Sequence, residues 1–210
     1  MTNFYFVRHG QTAANKAGLK QGIVNTEITN LNDVGRQQAN QLHDHFEISF
    51  ADLVIASPLQ RTIDTANILN QAANLEVVTD DRLLEISYGD WDGQTNASLQ
   101  SNFPDLFDPV LNDVLPAYAA IANGETFQQV IYRVKQFMMD YAKQFPTGNL
   151  IVVTHGFTVK AAVLAATNND DDLMSIEEPA NCSVTKITYD ETNENYYVRY
   201  FNRISRDEYK

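Results

Sequence analysis

The chain has 210 residues, 44% of them hydrophobic, with 15 Lys and Arg against 27 Asp and Glu for a formal charge of −12. That acidic balance argues against nucleic acid, whose affinity comes from cations neutralising phosphates, and against an anionic membrane surface. No apolar run reaches the ~18 residues of a membrane span, the first residues show no signal segment, and one cysteine, Cys182, excludes an internal disulfide and reads as a small buried residue. A cytoplasmic protein handling a small molecule is expected, with its few cations gathered at any site for an anion.

The first element is a strand over Asn3–Arg8, an apolar run that ends in Arg8-His9-Gly10. A helix over Gly35–Phe46 follows; His43 and His45 lie two apart on it, point to different sides and read as surface residues. The strand Asp52–Ala56 runs into "SPLQRTIDTANIL", a helix with Ser57 as expected cap, Pro58 in its first turn and Arg61 close behind. After a strand over Leu75–Thr79, the segment "LLEISYGDWDG" places Glu85 at the exit of an apolar stretch. From about 88 to 124 the chain is irregular, carries Pro104, Pro109 and Pro116, and is expected to be a lid or specificity insertion.

Apolar residues at Phe127, Val130, Ile131, Val134, Phe137, Met138 and Tyr141 mark a helix with one buried face. The strand Asn149–Thr154 is continuously apolar, as central strands are, and ends in Thr154-His155-Gly156. "NNDDD" at Asn168–Asp172 matches no calcium-loop spacing and reads as a solvated turn. Ser183–Tyr189 and Asn195–Phe201 read as an antiparallel hairpin. Strands alternating with helices, without a linker or repeat, predict one α/β domain over residues 1–210.

In open α/β sheets, ligands sit beyond the carboxyl ends of the strands. Two His-Gly pairs at two strand ends therefore converge on one ligand, and each glycine lets the backbone turn sharply or come close to it. Arg61, in the first turn of its helix, pairs with Arg8 as a two-guanidinium clamp for phosphate. Glu85, partly desolvated, is suited to hold a proton for a departing alkoxide. An imidazole nucleophile, arginines to neutralise the transferring group and a carboxylic acid together indicate phosphoryl transfer. No Walker-type loop and no histidine pair at zinc-protease spacing is present, so neither a metal nor another cofactor is expected.

The segments "FVRHGQTAAN", "ASPLQRTIDTA", "LLEISYGDWDG", "GETFQQVIYRV" and "VVTHGFTVKAAV" resemble, in order, the motifs of the histidine phosphatase superfamily, phosphoglycerate-mutase-like branch. The resemblance implies a three-layer α/β/α sandwich with a mostly parallel central sheet. It implies phosphorylation of His9, a phosphoryl group held by Arg8, Arg61 and His155, and Glu85 as proton donor that later activates water. It also implies a phosphate contact from Asn15 and a substrate-side loop at Gln21-Gly22. Two departures stand out: the segment after Gly22 lacks the usual tryptophan, and Lys160 stands where many relatives have arginine, which reads as a surface or adjoining change.

The family holds mutases and phosphatases. Between Arg82 and Arg133 there is no Lys or Arg, whereas seven Asp and Glu lie there. That setting repels the extra anions of a phosphoglycerate, while Tyr88, Trp91, Phe103, Phe107 and Tyr118 are expected to be packing residues for the most part, with some lining a less polar substrate pocket. The expected activity is a metal-independent phosphatase for small phosphomonoesters, with a partly apolar leaving group. The alternatives are a mutase primed by a bisphosphorylated cofactor (the 2,3-bisphosphoglycerate-dependent type) and a silent phosphate-binding module. No oligomeric state is indicated.

Overall fold

A computed structural model of the chain describes residues 1–168 and 176–204. Six strands, β1 (Thr2–Arg8), β2 (Leu53–Ala56), β3 (Val77–Thr79), β4 (Asn149–Thr154), β5 (Val184–Asp190) and β6 (Asn195–Arg203), form one sheet in the order β3-β2-β4-β1-β5-β6. The first four in that order run parallel, while β5 and β6 are antiparallel additions at the β1 edge. All six expected strands are present, with ends moved by one or two residues.

Among the described residues seven α-helices join the sheet: α1 (Ala13–Lys16), α2 (Asp33–His45), α3 (Gln60–Leu69), α4 (Asn96–Asn102), α5 (Tyr118–Ala122), α6 (Phe127–Gln144) and α7 (Gly156–Thr167). Strand side chains alternate between faces, and the alternation divides the interior into two cores. Phe4 and Phe6 of β1 join Leu150 and Val152 of β4 under α6 and α7. Tyr5 and Val7 join Ile151 and Val153 beneath Ala39 and Leu42 of α2 and Ala66 and Leu69 of α3. The result is the expected three-layer sandwich. Helix α6 begins on a Thr126–Gln129 capping box and runs a turn beyond its predicted end. Helix α7 is buried along nearly its whole length and so presents no amphipathic stripe in the sequence.

Two expectations change, at Ser57 and at His43. Helix α3 starts at Gln60, and its N-cap, Leu59, makes no side-chain bond; the Ser57 hydroxyl instead faces His155. The ring-bearing residues of the 88–124 stretch pack on one another, Trp91 against Phe103, Phe107 and Tyr118, in the same core as α6. Only Tyr88 among the five reaches the cavity described below, so these residues serve mostly in packing, as expected: aromatic burial against α6 removes more apolar surface from water than an open cleft would. Residues 169–172 of the acidic "NNDDD" segment lie outside the described residues. Cys182 is buried as expected, which pushes its thiol up to about 12. His43 is half-buried against the Leu69 carbonyl and His45 is exposed. Among the described residues no helix is long and apolar enough to cross a membrane.

Gly10 and Gly35 fix how the β1 end meets α2. A Cβ on Gly10 would overlap the Gly35 carbonyl, and one on Gly35 would overlap backbone atoms of Gln11. Neither glycine has a positive φ, so the requirement is close approach of two backbones. Gly35→Ala gains about 1 kcal/mol of helix propensity but forces an overlap worth about 1–3 kcal/mol. A net loss of about 1 kcal/mol is expected, read as a lower urea midpoint at unchanged m-value; equal or higher stability would show that the two backbones can part freely.

Candidate active site

Strand order delivers the site. Strands β2, β4 and β1 are neighbours, and their carboxyl ends are followed by Ser57, His155 and His9 in a row. The amide of Ser57 donates to the Val153 carbonyl and that of His9 to the Thr154 carbonyl, both at 3.0 Å. The two imidazoles consequently meet edge to face, with ring centroids 5.3 Å apart. The two strand-end His-Gly pairs are thus brought side by side, with His9 of the two histidines on the wall of the cavity described below.

His9 is 2% exposed. Its Nδ1 lies 2.7 Å from the Gly10 carbonyl, which can only accept, so Nδ1 carries the hydrogen and Nε2 carries the lone pair. Burial, then the charges of Arg61 and Arg8, hold its pKa well below the ordinary histidine value, against a smaller opposite effect of the Gly10 bond. A neutral imidazole with a free Nε2 lone pair is the nucleophilic form. The Asn181 side chain fixes the same residue from behind by donating to the His9 carbonyl at 2.8 Å.

His155 is held in the opposite tautomer. Arg61 Nε donates to its Nδ1 at 3.2 Å, leaving the ring hydrogen on Nε2, which donates to Ser57 Oγ at 2.8 Å. Burial first, and Arg61 next, lower its pKa well below the usual value. His155 and Gly156 do not line the cavity wall; His155 lies behind it and Gly156 is the first residue of α7, against Glu178.

Arg61 is 1% exposed. Its Nη1 and Nη2 donate to the carbonyls of Val24 (3.0 Å) and Gly22 (2.8 Å). Three of five N–H groups are thus used to hold the 22–24 loop and His155, and two remain. Burial pulls its pKa down to about 10, still cationic at neutral pH, with Glu85 acting in the opposite direction. Gly22 occupies a positive φ of 46°, and a Cβ there would overlap the Asp92 carboxylate, so this loop is fitted against the 88–124 stretch. Arg8 pairs with Glu178 and with the Pro179 carbonyl, while its buried Nε has no protein partner among the described residues. A buried, unpaired guanidinium N–H is costly and suits an anionic ligand.

Glu85 accepts hydrogen bonds from the first turn of α7: Thr158 N at 3.2 Å and Phe157 N at 3.4 Å, with Ile86 N at 3.1 Å. Helix α7 has no side-chain cap of its own, so Glu85 closes that end through space. Burial and then the Glu178 charge nonetheless raise its pKa above the ordinary carboxylate value, with Arg61 and the Ile86 bond opposing. Asn15 and Thr12 form a capping box at α1, and the Thr12 hydroxyl lies 3.0 Å from Gln21 Oε1.

A cavity of about 340 Å³ gathers Arg8, His9, Asn15, Gln21, Gly22, Arg61 and Glu85 on its wall. Lys20, Glu178 and Asn181 line it too and have no counterpart among the sequence candidates. The arrangement offers a neutral nucleophile, two cations and a protonatable carboxyl around one small volume. Among the described residues no cluster of three or more His, Cys, Asp or Glu is placed to hold a metal ion.

Charge at the edge of this cavity, where Lys20 also borders a crevice lined by Asp113 and Lys160, differs from the expectation drawn from the cation-free stretch between Arg82 and Arg133. Lys20 Nζ stands 2.7 Å from Asp113 Oδ1, and Lys160 Nζ 3.6 Å from Oδ2. Lys160 is therefore no surface residue; it is 2% exposed inside α7. Both cations come from distant positions, a pairing that charge counting within one segment misses.

The histidine phosphatase superfamily (branch 1) family model matches residues 4–202. Phosphoserine phosphatase 1 of Hydrogenobacter thermophilus is 29% identical over 165 residues, spanning 79% of this chain and 76% of its own. The adenosylcobalamin/alpha-ribazole phosphatase of Escherichia coli is 31% identical over 151 residues, 72% of each. The solved structure of Bacillus stearothermophilus YhfR superposes with a TM-score of 0.85 at 28% identity, covering 98% of both chains.

Proposed function

The chain belongs to branch 1 of the histidine phosphatase superfamily, an enzyme of the phosphomonoesterase type, and on that premise we propose that it hydrolyses small phosphomonoesters through a phosphohistidine on His9. The carrying observation is the His9 imidazole itself: buried, neutral, hydrogen-bonded through Nδ1, and open at Nε2 in a cavity shared with Arg8, Arg61 and Glu85.

In the first step, the Nε2 lone pair attacks phosphorus as the bond from phosphorus to the ester oxygen breaks. The Glu85 carboxyl gives its proton to that oxygen, so the alcohol leaves neutral. The free hydrogens of Arg61 and Arg8 Nε bind the phosphoryl oxygens, and Asn15 adds a neutral donor. In the second step, the Glu85 carboxylate takes a proton from water, the water oxygen attacks phosphorus, and the bond to Nε2 breaks. His155 acts as a positioning residue, held by Ser57 and in turn orienting Arg61 Nε. No step requires a metal. The 88–124 stretch, joined to Lys20 and Gly22, supplies the leaving-group side as a lid or specificity element of one domain.

Phosphate release from a panel of phosphomonoesters, with a parallel assay for 2- and 3-phosphoglycerate interconversion, tests the reading. Phosphate release is expected to exceed interconversion by at least ~100-fold, since water and not a second hydroxyl takes the phosphoryl group. Interconversion faster than release would replace hydrolysis by mutase chemistry.

A further inference from the structure

We propose that Lys20 selects phosphomonoesters whose leaving group carries a second, monoanionic group, a carboxylate above all, and that Asp113 holds its place when no substrate is bound. The inference rests on the phosphatase reading above and names its substrate class.

Lys20 stands on a boundary. It lines the cavity that holds His9 and Arg8, and also a neighbouring crevice of about 260 Å³ walled by Asn96, Asp113 and Lys160. Its backbone is clamped to the 88–124 stretch, with Lys20 N donating to the Gln94 carbonyl at 2.9 Å and Gly93 N donating to the Lys20 carbonyl at 2.7 Å. Its ammonium lies 4.8 Å from the Tyr88 ring centroid. The cation is thereby aimed before any ligand arrives, and little side-chain freedom remains to be lost on binding.

The charges do not balance. Lys20 and Lys160 are 8% and 2% exposed, and among the described residues the one carboxylate bridging them is Asp113. Glu178 lines both cavities but is engaged by Arg8. Glu177 borders the crevice and, among the described residues, makes no ion pair with either lysine. Among the described residues, two largely buried ammoniums thus share one carboxylate with one positive charge over, and burying a charge without a partner of its own is costly. A single added anion restores neutrality; a dianion overshoots it. Asp113 sits in a turn closed at its base, where Asp108 N donates to the Asp113 carbonyl at 2.8 Å. Its carboxylate can therefore stay with Lys160 when a substrate carboxylate takes over Lys20.

The test compares two esters that differ only at the far carbon: 2-phosphoglycolate, which ends in carboxylate, and 2-hydroxyethyl phosphate, which ends in an alcohol. The wild-type kcat/KM ratio is expected to favour phosphoglycolate by at least ~10-fold, the size of one charge-assisted hydrogen bond. Lys20→Gln should lower that ratio by ~10-fold or more, while Lys20→Arg should keep it within about threefold because the cation remains. Asp113→Asn, which frees Lys20 from its competitor, should lower KM for phosphoglycolate more than for the alcohol. A wild-type ratio near unity, a ratio unchanged in Lys20→Gln, or an Asp113→Asn variant that raises KM equally for both esters would overturn the proposal. Hydrolysis of p-nitrophenyl phosphate separates the levels: if that ester and both others are inert, the phosphatase reading falls and takes this inference with it. If all three are cleaved at a ratio near unity, only the selectivity proposal falls.

Discussion

Replacing His9 with alanine is expected to lower kcat by at least ~10⁴-fold, because a nucleophile and the residues that serve it act as a unit and removing the attacking group abolishes the covalent route. Binding should survive. Arg61 is oriented by the carbonyls of Gly22 and Val24 and by His155, and Arg8 by Glu178 and Pro179; none of these hydrogen bonds or ion pairs involves the His9 ring, which meets the His155 ring edge to face. Inorganic phosphate is therefore expected to inhibit wild type and bind His9→Ala within about threefold, since the hydrogen bonds that orient both arginines stay in place. Folding should also persist, since a histidine held neutral by burial gives up packing and one hydrogen bond, to the Gly10 carbonyl, when shortened. A variant with near-normal turnover would remove His9 from the chemistry, whatever its place in the cavity.

The second large effect is expected at Glu85. Its carboxyl must carry a proton to protonate an alkoxide, and burial with the nearby Glu178 charge raises its pKa in the direction that keeps that proton. Glu85→Gln should reduce kcat on an alkyl ester by ~10²–10⁴-fold, the usual worth of a general acid. On p-nitrophenyl phosphate, whose phenolate leaves unaided, the first step should be much less affected. Phosphoenzyme should then accumulate, because water activation uses the same carboxylate. In wild type, kcat/KM on an alkyl ester should fall as pH rises through the raised Glu85 pKa, and that limb should vanish in the variant. Because folding raises the pKa, the group contributes stability below its unfolded value that is lost as pH rises through the folded one. The neutral amide is free of that loss, so Glu85→Gln should be at least as heat-stable as wild type at neutral pH. An equal fall on both esters would assign Glu85 to closing the end of α7 instead.

The fold was legible wherever burial leaves a pattern in the sequence. A continuous apolar run marks β1, where Phe4 and Phe6 face one core and Tyr5 and Val7 the other, and the 3.6-residue period marks α6. The two His-Gly strand ends are local signals, and parallel neighbours β1 and β4 bring them together. What escaped is long-range and polar. Ser57 carries every mark of an N-cap, yet its hydroxyl faces His155 across 98 positions of chain. Lys20 and Lys160 look unremarkable until Asp113 is laid between them. Glu178 and Asn181 arrive from a segment without periodicity, and the aromatic side chains near Trp91 turn into the core, leaving a polar cavity. Composition within one segment says little about a wall assembled from four.

The central claim is that the phosphoryl group passes through His9 Nε2, and rapid denaturing quench of the enzyme during turnover tests it most directly. The expected result is a phosphorylated peptide containing His9, stable in alkali and lost in acid as a phosphoramidate is, and absent from His9→Ala. Steady turnover in which no phosphate is trapped on His9, or label on another residue, would contradict it.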